Sequence, residues 1–368
     1  FRDAQVPGPR TSYAKVHLTV PDSLDDAYIG LYLIVENVDN DFARHWYGTK
    51  KGTIFKPVAP QIFGYLGEDW NDYIRTFDPK TPLSVQEQRR IIDVCRFVSL
   101  STDQEFSSQL SKYFDLDNMA RYLAVNVFLT DLDGILGPGQ NMYLYLHPKT
   151  MQISFIPWDH DHSFGQMRGT QEEREQLSLD QPWMNQNDFL ERVYKVEAFQ
   201  KLYKGYLKEF NETIFKPETL VAQVDELVPI IRPAIAEESA EALERFDFTV
   251  GWEVDEALDS ADRIDPKPLR TFVYARNESI AEQLAGNAVC IQAGEAEWMI
   301  GMFGYMFMSK MDTDSSATVD EEEFMNKFDF WFERWAGADS TMISDDELRL
   351  GLNNDLSPMG PDPNLNQE

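Results

Sequence analysis

Cysteine is scarce in this chain of 368 residues, which contains only Cys95 and Cys290. Two cysteines are too few for a disulfide framework, and the sequence leaves open whether they pair. No run of about 18 apolar residues occurs, so we expect no membrane-spanning helix. Basic residues are also few: 33 Lys and Arg stand against 63 Asp and Glu, a net charge of −30. Because such a surface would repel a phosphate backbone, we expect no nucleic-acid partner.

Apolar residues, by contrast, are plentiful. They make up 43% of the chain and aromatic residues 13%, enough for a buried core, which argues against disorder over most of the length. At roughly 150 residues per domain, the length predicts two or three units, or one large unit with an appendage. The chain begins at Phe1 with no charged and apolar leader, and we expect its natural start to lie upstream.

The spacing of apolar residues changes along the chain from strand-like to helical. The second strand pattern is almost wholly apolar, so we expect it to be buried on both faces. The late helical stretch contains Pro217, Pro229 and Pro233, where we expect breaks. Strands early and helices late predict an α+β fold. The predicted elements are strands at 13–20, 28–36 and 53–56, helices at 85–98 and 119–129, a hairpin at 141–157, and helices over 189–285.

A twelve-residue segment near the C-terminus fits the loop of an EF-hand calcium site. The template needs oxygen donors at positions 1, 3, 5 and 9, a backbone carbonyl at 7 and a bidentate Glu at 12. Ala317 occupies position 6, where the turn normally takes Gly, and we expect this to lower the affinity. The flanking residues 298–308 and 324–335 have helical spacing, as the motif requires. The predicted ligands are Asp312, Asp314, Ser316, Thr318, Asp320 and Glu323.

A second, decayed copy of this loop begins at Ala336 and ends at Glu347. Its first and third positions are Ala336 and Ala338, so two ligands are missing, and we expect it to bind no ion or to bind one poorly. Residues 312–347 contain 12 acids against two basic residues, a net charge of −10. Such a density of like charge repels itself unless cations bind.

Polar side chains also gather around the predicted hairpin in the first part of the chain. Asp133 ends a helical segment, Asn141 directly precedes the first hairpin strand, and Asp159 follows the second. Because a hairpin brings the residues at its two open ends together, we expect these three side chains to converge. Two carboxylates and an amide suit a Mg²⁺ or Mn²⁺ site that carries phosphates. The order of the three residues matches the catalytic loop and metal-binding aspartate of protein kinases.

The run NMYLYLHPKTMQISFIPWDHDHSFG, residues 141–165, resembles the signature of the CotH-type spore-coat kinase family, and its Pro-Trp-Asp-x-Asp core is fairly specific. The resemblance covers about residues 1–285 and implies an atypical protein-kinase-like fold. Family members resemble kinases that use ATP and a divalent metal to phosphorylate protein hydroxyls. Further similar segments are FRDAQVPGPRTSYAKV, GLYLIVENVDNDF, FDLDNMARYLAVNVFLTDLDG and LRTFVYARNESIAEQL.

The resemblance implies roles for five residues, in the signature and elsewhere in the matching segments. Asp133 would be the catalytic aspartate, Asn141 and Asp159 the metal ligands, with Asp161 in support, and Glu36 a nucleotide contact. The family's upstream portion, with the lysine that should hold the phosphates, is not in this chain, so the N-terminal part of the fold would be incomplete. Lys56 is a conceivable nucleotide contact.

Other interpretations of the same residues remain open. His160 and His162 alternate with Asp159 and Asp161, which could indicate a metal hydrolase. In a strand-like segment, however, the two histidines would share one face and the aspartates the other, so one metal could not easily use all four. A structural role for the histidines is the simpler interpretation. Asp131 could be a helix-end residue or a second-choice ligand. Trp158 and Phe164 are expected in the core.

These observations predict three regions: a kinase-like domain at 1–288, a small all-α EF-hand module at 289–352 and a disordered tail at 353–368. The main functional hypothesis is an ATP- and Mg²⁺- or Mn²⁺-dependent protein kinase acting on an unidentified protein substrate, with a Ca²⁺ site. The alternative is a non-catalytic, calcium-binding surface or coat protein on a kinase-like scaffold. A low-affinity calcium site suggests a location outside the cytoplasm or at the cell surface.

Overall fold

The computed structural model describes residues 1–57, 62–166, 170–251, 268–288, 290–293, 310–314, 316, 318–337 and 340–356. The chain divides into two compact units, Phe1–Ala293 and Gly294–Glu368, close to the boundary predicted at residue 288. Most of the predicted tail lies outside the described residues. Among the helices of the described ranges, none has the length and apolarity needed to cross a bilayer.

The first unit begins with an antiparallel two-stranded ribbon. Strand β1 (Thr11–Val20) turns at residues 21–23 and pairs along strand β2 (Leu24–Val35). The expectation that this second strand is buried on both faces was wrong, because most of its side chains are exposed. The ribbon is a sheet of its own. Helix Pro217–Glu238 packs against part of it, and among the bonds between them the backbone N–H of Leu31 donates to Glu238 Oε1 at 2.6 Å and the Tyr28 hydroxyl donates to the Ala234 carbonyl at 2.9 Å.

A second, three-stranded antiparallel sheet lies in the core. Strand β3 (Thr53–Phe55) pairs with β4 (Met142–Leu146), which pairs in turn with β5 (Ile153–Pro157). All residues of the three strands are buried. Met142 stands opposite Pro157 at the open end of the β4–β5 hairpin. The predicted hairpin is therefore confirmed, and its open end carries the segments of interest.

Helices pack around this sheet. The most fully buried helix is Leu116–Leu129. It is preceded by the helices Val85–Leu100 and Asp103–Tyr113, each of which starts with a capping box. A helix that is apolar on all sides belongs in the middle of a domain, and eleven of the fourteen residues of Leu116–Leu129 are buried. The other α-helices described in this unit are Asn40–Tyr47, Ile74–Phe77, Gln171–Glu175, Asp188–Val193, Glu197–Glu212, Pro217–Glu238, Ala240–Val250 and Leu269–Ala285.

Two of the expected proline breaks are absent from the helix Pro217–Glu238, which continues through Pro229 and Pro233. Pro217 does begin a helix, at a position where proline costs no hydrogen bond. The two internal prolines are four residues apart, so the N–H that Pro233 lacks is the one that would bond the carbonyl of Pro229. Burial of Ile231 and Ala234 beside them supports the helix across that gap.

Two side-chain networks fasten the last helix of the unit, Leu269–Ala285, to the rest. Arg276 is fully buried and donates to the carbonyls of Val127, Glu175 and Leu177. Asn277 Nδ2 donates to the Oδ1 and the carbonyl of Asn211, at 2.9 and 2.8 Å. Asn211 and Asn277 thus hold each other through structural hydrogen bonds.

In the second unit, the described helices are Glu321–Ala336 and Asp345–Leu356. A small apolar cluster forms from Met311, Trp331 and Leu356, with Trp335 packed against it. The helix predicted at 324–335 is confirmed, while the one predicted at 298–308 lies outside the described residues.

The two cysteines of the chain are unpaired, Cys95 buried and Cys290 exposed.

Candidate functional site

The site begins where helix Leu116–Leu129 ends. Thr130 adopts a left-handed conformation (φ 52°) and turns the chain out of the helix. Asp131 follows with a fully buried side chain, although the sequence placed it only second among the ligand candidates. Its Oδ1 accepts a hydrogen bond from the backbone N–H of Asp133 at 3.2 Å. The helix end therefore fixes the backbone of the residue that resembles a catalytic aspartate.

Asp133 and Asn141 come together as the hairpin geometry predicted. Asn141 Nδ2 donates to Asp133 Oδ2 at 2.6 Å, and Gln140 Nε2 donates to Asp133 Oδ1 at 3.2 Å. Asp133 is half-buried, and this burial raises the pKa of its carboxyl above the usual range. The Gln140 and Asn141 bonds and the nearby His162 act in the opposite direction, and the charge of Asp131 adds to the rise. The result is a carboxylate with more affinity for a proton than an ordinary surface aspartate.

The other half of the site follows strand β5. Trp158 packs edge-on against Tyr143, with ring centroids 5.2 Å apart, and Asp159 then takes a left-handed conformation (φ 57°). Asp159 and Asp161 are both exposed. They line a groove of about 610 Å³, together with His160 and with Leu33 and Val35 of the ribbon. The groove thus combines apolar strand side chains with two carboxylates.

The argument that the two histidines would share one face does not apply, because it assumed a strand-like backbone. The segment after Pro157 is not a strand, and the left-handed turn at Asp159 breaks the alternation. His160 Nδ1 forms a short hydrogen bond with Asp131 Oδ2, while His162 lies close enough to Asp133 to lower its pKa. The expectation that Trp158 belongs to the apolar core is supported by its packing against the cluster around Tyr143.

Two further residues were predicted as nucleotide contacts. Glu36 is held by Arg10, with Arg10 Nη2 donating to Glu36 Oε1 at 2.5 Å, and this hydrogen bond lowers the pKa of the Glu36 carboxyl. Lys56 places its ammonium 5.7 Å from the ring centroids of both Tyr143 and Trp158, a cation–π geometry. Lys56 therefore contacts the aromatic side chain directly before Asp159. The nucleotide roles of both residues stay predictions.

Metal-ligand geometry differs between the two candidate sites. Within the described parts of the chain, three His, Cys or acidic ligand atoms meet within 4.8 Å only at Asp312, Asp314 and Glu323. The carboxylate oxygens of Asp133, Asp159 and Asp161 do not all lie within 4.8 Å of one another. The donors near the hairpin are nevertheless carboxylate and amide oxygens, which suit Mg²⁺ or Mn²⁺. A metal held there by Asn141, Asp159 and Asp161 would need further oxygens, such as phosphates, to complete its coordination.

The predicted calcium loop is organised by backbone hydrogen bonds to its carboxylates. Ser316 N donates to Asp312 Oδ1 at 2.9 Å and to Asp314 Oδ1 at 3.0 Å. Glu323 Oε1 accepts from both the hydroxyl and the N–H of Thr313, each at 2.8 Å, and these bonds lower the pKa of the Glu323 carboxyl. Asp320 accepts from Glu323 N and caps the following helix.

The other two predicted donors, Ser316 and Thr318, bond to each other, with Ser316 Oγ donating to the Thr318 carbonyl at 3.1 Å. Ala317, whose type departs from the template, lies outside the described residues. In the decayed copy, Glu347 accepts from the N–H and hydroxyl of Ser344 at 2.8 and 2.7 Å. Its carboxylate therefore caps a helix, as Glu323 does in the first loop, and the expectation that this copy binds an ion poorly stays a prediction.

The contact that sequence reasoning undervalued is the one between Asp131 and His160. These residues are 29 positions apart, and no local pattern indicates that they meet. The sequence offered one indication, the position of each residue beside predicted site residues. Asp131 lies two residues before Asp133, and His160 lies between two predicted ligands. Backbone strain marks the same region: Thr130, Asn141, Asp159 and Phe164 all have φ between 52° and 58°. Strained residues of this kind cluster at functional sites.

Comparison with known proteins identifies the first unit. A model of the CotH kinase protein family matches residues 1–278. A curated relative, the inner spore coat protein H of Bacillus subtilis (strain 168), is 25% identical over 229 residues. That match covers 59% of this chain and 60% of the relative, so the chain spans less than two thirds of the relative's length.

Proposed function

The chain belongs to the CotH kinase protein family, and from this we propose that its first unit is an atypical protein kinase. The reaction would transfer the terminal phosphoryl group of ATP to a hydroxyl of a protein substrate, with Mg²⁺ or Mn²⁺ on the phosphates. The observation that most directly supports this proposal is the hydrogen bond between Asp133 and Asn141 at the open end of the hairpin. Asp159 follows the second strand of the same hairpin.

Asp133 is suited to act as the base. Its carboxyl is half-buried and its pKa is raised, so it holds a proton better than an exposed carboxylate does. The substrate oxygen would form a bond to the terminal phosphorus as the bond from that phosphorus to the bridging oxygen breaks. The hydroxyl proton would pass to Asp133. Gln140 and Asn141 donate to its two oxygens and orient them.

The groove beside Asp159 and Asp161 is the proposed nucleotide site. Its volume of about 610 Å³ and its apolar lining, which includes Leu33 and Val35, favour a flat heterocycle, and its two carboxylates would hold a metal on the phosphates. A divalent metal would neutralise phosphate charge there. Without such a cation, two exposed carboxylates would repel a polyphosphate. Binding of ATP should therefore depend strictly on the metal.

For the second unit we propose a Ca²⁺ site at the loop that ends in Glu323. The support is the meeting of three carboxylate oxygens, from Asp312, Asp314 and Glu323, within 4.8 Å. Three converging carboxylates repel one another unless a cation lies between them. The Thr318 carbonyl, together with Ser316 and Asp320, would add oxygen ligands at the spacing of an EF-hand.

A second candidate function is a calcium-binding coat or surface protein whose kinase-like unit binds partners without catalysis. It is favoured by the name of the relative, an inner spore coat protein. That name also supports a coat or surface location for this chain. The two candidates differ in one testable respect, since only the first requires Asp133 for phosphoryl transfer.

The test measures ATP binding by calorimetry with Mn²⁺ in excess, and then transfer of labelled phosphate from ATP to casein or to the chain itself. Asp159→Ala should abolish the metal-dependent binding. Asp133→Asn should retain binding and lower transfer by roughly 10²- to 10⁴-fold, the usual contribution of a general base. Asp329→Ala, an exposed aspartate of the second unit, is the matched control.

Each outcome decides between the candidates. Binding and transfer that respond to the variants as stated support the kinase. Binding without transfer, or transfer that Asp133→Asn leaves intact, contradicts it and favours the coat protein. If neither binding nor transfer occurs, the proposed kinase function fails for this chain.

A further inference from the structure

Two segments carry the proposed catalytic carboxylates, and they belong to distant parts of the chain. Residues 130–133 follow the central helix Leu116–Leu129 and include Asp133, while residues 158–165 follow strand β5 and include Asp159 and Asp161. Phosphoryl transfer needs the base and the metal ligands at a fixed separation, so contacts between the two segments must hold them in a fixed relative position. Two contacts between them do so.

The first contact is the Asp131–His160 pair. Asp131 Oδ2 bonds His160 Nδ1, and Asp131 Oδ1 accepts from the backbone N–H of Asp133. One buried carboxylate thus joins the backbone of the proposed base to the residue between the two proposed metal ligands. Because Asp131 is fully buried, its charge needs these partners, and losing one would leave an oxygen without compensation.

The second contact lies four residues further along. The backbone N–H of Phe164 donates to the carbonyl of Leu129 at 2.8 Å, in the last turn of the central helix. Thr130 and Phe164, on either side of this bond, both have positive φ, a conformation that β-branched and bulky residues avoid. Strained backbone persists only where surrounding contacts over-determine it. The Asp131–His160 pair is the side-chain contact at that junction.

We propose that Asp131 and His160 are positioning residues that fix Asp133 relative to Asp159 and Asp161, an inference that rests on the proposed kinase function for its catalytic part. Neither side chain is placed to react itself. Asp131 has no exposed surface. His160 uses Nδ1 for Asp131, and its Nε2 is buried.

Three variants test the pair. His160→Ala removes the bond, whereas His160→Asn places an amide donor where Nδ1 was and should restore it. Asn277→Ala removes hydrogen bonds of a similar kind from Asn211, in the same unit but away from the site, and serves as the matched control for destabilisation. Asp131→Asn keeps the side-chain volume and removes one of the two acceptors.

The first readout does not depend on activity. Hydrogen exchange of the backbone amides of Asp133 and Phe164, measured on peptides spanning 130–141 and 158–166, reports whether the two segments stay together. Exchange at both should accelerate in His160→Ala and Asp131→Asn and return toward the wild-type rate in His160→Asn. In Asn277→Ala it should stay at the wild-type rate. Unchanged exchange at both segments in His160→Ala overturns the proposal.

The second readout is the kinetics of transfer. Displacement of the base should lower kcat in His160→Ala by about 100-fold with a much smaller effect on KM for ATP, the pattern expected when reacting groups are misplaced. His160→Asn should recover most of the loss. An unchanged kcat, or an equal loss in Asn277→Ala, would show that the pair is merely structural. If wild-type transfer is absent while the exchange pattern holds, the proposed function fails and the coupling of the segments stands.

Discussion

Arg276 offers a test of how the catalytic segments are supported. Its guanidinium is fully buried and donates to the carbonyls of Val127, Leu177 and Glu175 at 2.8, 2.8 and 3.0 Å. Val127 is in the last turn of the helix that leads to Asp131. Burial lowers the pKa of Arg276 to about 10, so the side chain is still charged near neutral pH. One buried cation therefore ties the last helix of the unit to the helix that positions the site.

Replacement by Met keeps much of the apolar volume and removes the donors. Each hydrogen bond to a charged group contributes about 1.5 kcal/mol or more, so three such bonds are worth about 4.5 kcal/mol. Part of this is offset because Met has no charge to bury. We expect Arg276→Met to lower the free energy of unfolding by about 3 kcal/mol. At roughly 2 to 4 °C per kcal/mol for a unit of this size, Tm should fall by roughly 6 to 12 °C.

Urea unfolding followed by circular dichroism measures the effect, with Arg232→Met as the matched control. Arg232 bonds Asp247 at 2.6 and 2.8 Å, but both side chains are about half exposed, so that variant should lose much less stability than Arg276→Met. If the two variants lose stability equally, the buried carbonyl contacts of Arg276 do not stabilise the fold as argued. A changed slope of free energy against urea would point instead to the unfolded state.

Three further outcomes follow from the structure. Glu323→Gln should abolish the stabilisation by Ca²⁺, which reaches about 2.7 kcal/mol at a hundredfold excess over Kd. Glu322→Gln, with the same loss of charge on an exposed neighbour, should retain it, and equal effects in a calcium titration would contradict the site. Ala317→Gly should tighten Ca²⁺ binding about fivefold, from about 1 kcal/mol for a turn that favours glycine, and unchanged affinity by calorimetry would count against the template. Cys290 should react with a thiol reagent far faster than Cys95, whose burial raises its pKa, and equal rates would contradict that burial.

The parts of the fold that sequence reasoning predicted are those set by local patterns. The hairpin of residues 141–157 is recognisable in the sequence as two apolar runs around a polar turn. The pairing of Met142 with Pro157 follows from the geometry of such a hairpin. The capping box of Ser84 and Glu87 at the start of the helix predicted at 85–98 is equally local. Neither feature depends on which other elements pack nearby.

Burial could not be predicted in the same way. An apolar run such as residues 28–36 looks like a central strand, yet whether its faces are covered depends on which elements pack against them. Here β2 pairs only with β1 among the described residues, and most of its side chains are exposed. Pro229 and Pro233 were misjudged for the converse reason, because tertiary packing of Ile231 and Ala234 sustains a helix that local propensity disfavours.

The site itself divides along the same line. The meeting of Asp133 and Asn141 was predictable because only a short loop containing Gly-Pro-Gly joins the helix end to the start of the hairpin. The alternation argument for His160 and His162 failed because it assumed an extended backbone, and a single left-handed residue at Asp159 invalidates that assumption. Once φ changes sign there, the side chains that follow no longer alternate between two faces.

The left-handed turn also affects how the backbone of this segment is held. Asp159, His160 and Asp161 all line the groove, and His160 Nδ1 in addition bonds the buried Asp131. In a regular strand, hydrogen bonds to a neighbouring strand would hold the backbone of these residues. In an irregular segment that anchoring has to come from side chains, and the bond from His160 to Asp131 supplies one such anchor. The residue between the two carboxylates is therefore constrained by the central helix end as well as placed at the groove.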